Sequence, residues 1–301
     1  MLKDMKRFST ILALAVTIIM TASAASAQTV KKDFDLKDFT SIEFSSDFKA
    51  TVQKSDSFGV SVELTEELLP YLNVRVNKGS LVVELRNVPT RLTLLKSNVV
   101  NATVSMPELR GITLNDSAKL TVEDAFDLGN GDFFISTAGT GEVKKLEIHA
   151  KNATLSLLGA SRIHLNGDFV TVNVQSAGTS RLVLGADADE ITVKSSGTAV
   201  SEIEGSFETI GLELAGTSNA TLKGEAEEMK VTASTAGSVD ALRMPVGKAG
   251  VNLSGAGVCK VYVKDALEVQ CTGASACSYK TDGEIKLDAK EISRTATLKK
   301  L

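Results

Sequence analysis

A glycine-centred tripeptide recurs along most of this chain and constrains its fold more than any other feature. The copies are Ala138-Gly139-Thr140, Leu158-Gly159-Ala160, Ala177-Gly178-Thr179, Ser196-Gly197-Thr198, Ala215-Gly216-Thr217, Ala236-Gly237-Ser238, Ser254-Gly255-Ala256 and Thr272-Gly273-Ala274. Successive glycines lie 20, 19, 19, 19, 21, 18 and 18 residues apart. Asn115-Asp116-Ser117 reads as one more copy, with Asp in place of Gly. A period near 19 held over this many copies marks a solenoid, in which each copy is one layer.

Alignment on the glycine shows what a layer contains. Four residues before it stand Leu155, Val174, Val193, Leu212, Ala233, Val251 and Val269. Four after it stand Val143, Ile163, Leu182, Ser201, Ala220, Ala241, Cys259 and Cys277. Six after it stand Leu165, Leu184, Ile203, Leu222 and Val261, with Lys145 and Arg243 breaking the column. Apolar and polar residues alternate on both sides of the corner, which is the period of a strand with one buried face. A second glycine follows in several copies (Gly167, Gly185, Gly205, Gly224). Each copy therefore reads as two short strands, two tight corners and a brief third side, where Phe169 and Phe207 fall in equivalent places. So small a unit cannot bury its own inner face. Stacking at about 4.8 Å per layer lets each backbone ladder with its neighbours while the apolar columns fill one interior. The expected fold is all-β, a right-handed parallel β-helix, the hand following the usual sense of parallel crossovers.

Residues 111–301 carry the repeat, and residues 28–110 read as a β-rich capping portion of the same continuous domain, 28–301. Strands are expected at Ser41–Phe44, Lys49–Val52, Val60–Leu64, Val74–Val76 and Leu81–Leu85, with a hairpin turn at Asn77-Lys78-Gly79-Ser80. Glu66 to Tyr71 reads as a single helical turn. Phe34, Phe39, Phe44, Phe48 and Phe58 cluster here, as a plug for the end of the solenoid. Residues 1–27 read as a secretory signal peptide: Lys3, Lys6 and Arg7, an apolar run from Ile11 to Met20, then Ala25-Ser26-Ala27. The apolar run is too short for a comfortable membrane span, and no span is expected in the mature chain. Removing the leader takes away three basic residues and Asp4, leaving a net charge of −6. That balance argues against nucleic acid as a partner and supplies no polybasic membrane patch.

Chemistry-bearing patterns are sparse, and neither a catalytic, a metal nor a cofactor site is expected. His149 and His164 share no ligand spacing with each other or with a Cys or Asp cluster. Asp187, Asp189 and Glu190 are close in sequence, but they fall on a corner that reads as having no matching acids in the adjoining layers. Arg162 and Arg181 stack at one offset with Lys119 and Glu142, as a solvated outer face does. The hydroxyl column Ser117, Thr140, Thr179, Thr198, Thr217 and Ser238 is able to bond a glycan or, more simply, corner backbone groups. Cys259 and Cys277 share a column in adjacent layers, within disulfide reach, although in-register Cβ atoms lie farther apart than a relaxed disulfide prefers. Three small buried core residues, Cys271 included, explain the cysteines equally.

The ordered series of corners, with Phe34-Asp35-Leu36-Lys37-Asp38-Phe39-Thr40-Ser41-Ile42 at its start, resembles the auto-transporter adhesin head GIN domain family. Leu109-Arg110-Gly111-Ile112-Thr113-Leu114-Asn115-Asp116-Ser117-Ala118 and Val261 to Val269 carry the likeness further. Asp116, and Ile292-Ser293-Arg294-Thr295 near the end, depart from it. The resemblance implies a secreted protein of a Gram-negative bacterium, in the periplasm or at the cell surface, with an adhesin-like role. Glycans and cell-surface or matrix proteins are the expected partner classes. A polysaccharide lyase or a glycan-binding module on the same scaffold is the alternative.

Overall fold

The computed structural model describes residues 28–93 and 98–301, so the expected leader lies outside the described residues. Of the described residues, 67% are strand and 4% helix, in a β-solenoid of about ten turns. Seven long strands form the middle of the rod: β12 (Glu142–Leu157), β13 (Arg162–Ser176), β14 (Arg181–Ser195), β15 (Val200–Leu214), β16 (Asn219–Ala233), β17 (Ser238–Leu253) and β18 (Val258–Cys271). Each runs almost once round the coil. The expected short sides are thus stretches of one bent strand rather than separate elements. Every long strand pairs in parallel with the next. Val174, Val193, Leu212, Val231, Val251 and Val269 are successive register partners, each at most 3% exposed. Burying one such side chain stabilises by about 1.5–3 kcal/mol, and the stack repeats the gain in every coil.

The corner explains the glycine. Gly178 has φ +77°, and a Cβ there would sit 2.5 Å from the carbonyl oxygen of Gly159 in the preceding coil. Only a residue without Cβ meets both demands cheaply. Corner positions are also filled by Ser46, Asp116 and Thr235, with φ of 67°, 57° and 61°. Thr235 corrects the sequence alignment, because Gly237 has no positive φ and stands two residues past the corner. Ala236 N–H bonds to Gly216 and Ala256 N–H to Thr235, as Thr179 N–H does to Gly159 and Thr198 N–H to Gly178. The columns four residues before and after the corner accordingly run through Val231 and Val239, while Ala233 and Ala241, also buried, belong to the columns of Leu214 and Val261. Lys145 is likewise a bulge: it is exposed, with φ 53°, and the register slips past it so that Leu146 meets Leu165. Inside the corner only small residues fit, and Ser161, Ser180, Ala199 and Ser218 occupy that place in successive coils.

Along the short third side Ala150, Phe169, Ala188, Phe207, Ala226 and Val246 are register partners. Phenylalanine alternates with alanine, which leaves each ring room over its neighbour. The coils with a ring carry Gly167 or Gly205 two residues earlier, where a Cβ would approach the preceding carbonyl to 1.7 Å.

The N-terminal end is built differently. The strands are β1 (Thr29–Phe34), β2 (Ser41–Phe44), β3 (Lys49–Lys54), β4 (Gly59–Thr65), β5 (Leu72–Asn77), β6 (Ser80–Leu85), β7 (Val100–Met106), β8 (Gly111–Leu114) and β9 (Lys119–Val122). β2 and β3 form a coil stacked in parallel on β8 and β9. β6 and β7 lie on its other side. Antiparallel β5, β4 and β1 complete the layer. The expected turn is a 3-10 helix, Glu66–Tyr71, and the Lys78-Gly79 hairpin loop has both φ positive, as a tight two-residue turn requires. Phe39, Phe44 and Phe48 are fully buried, and Phe39 packs on Phe58 with ring centroids 4.8 Å apart. β10 (Phe126–Asp127) and β11 (Asp132–Thr137) join this region to the long coils; β19 (Ala276–Lys280), β20 (Lys286–Ile292) and β21 (Thr297–Lys300) end the rod. At the last corner Ser293 and Thr295 both donate hydroxyl hydrogen bonds to Gly273 O, replacing the glycine that the repeat would place there.

Candidate binding groove

The three outer sides of the coil differ in chemistry because each strand sends alternate residues outward. The first side bears mixed charge. Lys119, Glu142, Arg162 and Arg181 are register partners there, and Arg181 pairs with Glu202 one coil on. The side that follows the short one is less charged: Thr154, Asn173 and Thr192 form one outward column, and Ser156, Gln175 and Lys194 the next, where Lys194 pairs with Glu213.

The short side is concave and acidic. A groove of about 900 Å³ runs along it, lined by Asp168, Asp187, Asp189, Glu208, Glu225, Glu227, Glu228 and Asp265 against Lys248 and Lys264. This corrects the expectation for Asp187, which is the register partner of Asp168; Ser206 and Glu225 continue the line. Asp187 is held in place by the Ser206 N–H, 2.9 Å from its Oδ1. At one end His149 Nδ1 lies 2.8 Å from Asp168 Oδ2, and its Nε2 lies 3.5 Å from Glu147. At the other, Lys248 reaches Glu228 at 3.2 Å. Eight carboxylates against two ammonium groups give the groove a negative field, which low-dielectric walls focus. Among the described residues no three His, Cys, Asp or Glu side chains converge as they would around a metal ion. A second hollow, of about 670 Å³, is lined in part by Asp47, Leu68, Thr93 and Asn98; residues 94–97 lie outside the described residues.

His164 is exposed and stands on the first side, apart from His149. The corner threonines face their own scaffold: Thr140, Thr179, Thr198 and Thr217 Oγ1 lie 3.2–3.5 Å from the corner carbonyl of the preceding coil. Ser238 is not part of that column, because the corner shift puts Ala236 there. Cys259, Cys271 and Cys277 are buried free thiols, and Cys259 and Cys277 are register partners. The neighbouring Cys277 sulfur and burial together push the Cys259 thiol well up. Burial also raises Cys271.

The model of the family described as "Putative auto-transporter adhesin, head GIN domain" matches residues 38–199 and 183–283. A crystal structure of a "putative lipid binding protein" from Parabacteroides distasonis aligns with TM-score 0.53 at 17% identity, covering 91% of this chain and 96% of that one. That of a "putative adhesin" from Parabacteroides merdae aligns with TM-score 0.51, at the same identity and coverage. At that identity the two structures speak for the fold alone. No curated protein matches the chain. Among the described residues no helix is long and apolar enough to cross a membrane.

Proposed function

Because the chain belongs to the auto-transporter adhesin head GIN domain family, we propose that it is a non-catalytic, exported binding rod of the bacterial envelope or surface. Its groove takes a basic segment of a cell-surface or matrix protein. The observation that carries this reading is the excess of negative charge along the groove, eight carboxylates to two lysines. A continuous backbone ladder holds those side chains at fixed intervals without a cofactor. An extended cationic segment laid along the rod meets a carboxylate in nearly every coil, so binding is multivalent and steered by charge. An acidic polysaccharide, the substrate class of the lyase reading, meets like charge there.

The less charged side supports a second reading, a glycan held by the Thr154, Asn173, Thr192 and Gln175 columns. One experiment separates the two. The purified mature protein is applied to immobilised matrix proteins, neutral glycans and an oligolysine peptide, beside the variants D187K/E208K and N173K/T192K. The groove reading expects capture by basic ligands, weakened at least tenfold by D187K/E208K and by added salt, with N173K/T192K unaffected. Binding to neutral glycans that is lost only in N173K/T192K overturns it.

A further inference from the structure

Two buried thiols near the C-terminal end play no part in the binding reading. Cys259 in β18 and Cys277 in β19 face each other across one rung of the parallel ladder, and neither has exposed surface. Partners on such a ladder stand about 4.8 Å apart, within the Cα range of a disulfide, about 4.4–6.8 Å. Beyond them the same column continues as Val239 on one side and Leu298 on the other. Cys271 belongs to a different column, between Leu253 and Ile292. The ladder therefore selects one pairing out of three.

We propose that Cys259 and Cys277 are joined by a disulfide in the exported protein, clamping β19 to β18, while Cys271 stays reduced and buried. In-register Cβ atoms stand wider than the roughly 3.8 Å a relaxed disulfide prefers, so β19 must move inward. Among the described residues the strand paired on its outer side is the four-residue β21, the outer partner that a shift of β19 toward β18 would disturb. The electrons go to a disulfide oxidant, small-molecule or protein, of an oxidising compartment. One cysteine thiolate attacks that oxidant and displaces a first thiol. The second cysteine then attacks the mixed disulfide, forms the Cys259–Cys277 bond and releases a second thiol. The two side chains lose two protons and two electrons, and the oxidant's S–S bond becomes two thiols. The reaction belongs to the stage before β19 is fully packed, when a reagent still reaches the sulfurs.

The full chain, exported to an oxidising compartment and purified without reductant, is unfolded in the presence of an alkylating reagent and weighed. The expected product carries one alkyl group, on Cys271, and three after prior reduction. Peptide mapping joins the segments holding Cys259 and Cys277, and reduction lowers the melting temperature by roughly 5 °C. The measurement uses the unaltered sequence, so it does not depend on a cysteine variant folding. The variant C271A is expected to carry no alkyl group before reduction and two after. Three alkyl groups without reductant, or a linkage through Cys271, overturns the proposal.

Discussion

At the N-terminal end an antiparallel layer of β1, β4 and β5 covers the interior, and fully buried Phe39, Phe44 and Phe48 fill the coil beneath it. At the C-terminal end, among the described residues, β20 pairs only with β18, and β21 only with β19. Leu287 and Ile292 there remain 43% and 37% exposed. The inner columns run the length of the rod, but their last members do not enjoy the same burial. A solenoid coil draws its stability from its neighbours, so a coil with one neighbour is worth less than a coil with two. Stability should therefore decline from the capped end toward β21, with opening beginning at the exposed coil.

The largest test of that contrast compares large-to-small changes at the two ends. Phe44→Ala is expected to cost about 3–5 kcal/mol and Leu287→Ala less than about 1 kcal/mol, read from urea midpoints. Similar losses at both ends would remove the gradient. In mid-rod, Gly178→Ala is expected to cost about 2 kcal/mol or more, since its Cβ meets the Gly159 carbonyl and φ is positive. Thr235→Gly should do the reverse and raise stability by about 0.5–1 kcal/mol, because a β-branched residue there bears the αL cost. The smallest effect is confined to the cap. Burial pushes the Glu84 carboxyl up, but hydrogen bonds from Arg75 and Arg86 outweigh it and hold the group below its ordinary 4.5. Its contribution is thus complete above about pH 4.5 and lost as pH falls through the lowered folded value. Glu84→Gln should cost no more than about 1 kcal/mol at neutral pH. It should abolish that acid-sensitive share in hydrogen exchange of β5 and β6, and leave β20 unchanged.

Periodicity made the stacked interior legible, because a constant layer length repeats the same inner positions: Val174, Val193 and Leu212 needed nothing but counting. Where the backbone departs from constant length, counting failed. The bulge at Lys145 and the shift of the corner to Thr235 keep apolar residues in register without keeping the spacing. The stacking of Ser46 on Asp116, 70 residues apart, was hidden because the cap is inserted between them; Asp116 Oδ2 accepts the Ser46 N–H at 2.9 Å. The acidic line was readable, since Asp168, Asp187 and Glu225 all stand nine residues past their corner glycine. What sequence does not contain is the concavity that turns those acids into a groove, which depends on how the short side bends.

Stacking in register is tested most directly by pulsed electron-spin distances between labels on one outward column. With the three native cysteines replaced by alanine, one label is placed at Thr154 and a second at either Lys230 or Glu268. These positions are four and six coils away by successive register. At about 4.8 Å per coil the expected separations are about 19 and 29 Å, a difference of about 10 Å. Two separations that fail to grow with coil number would contradict the rod and the groove that depends on it.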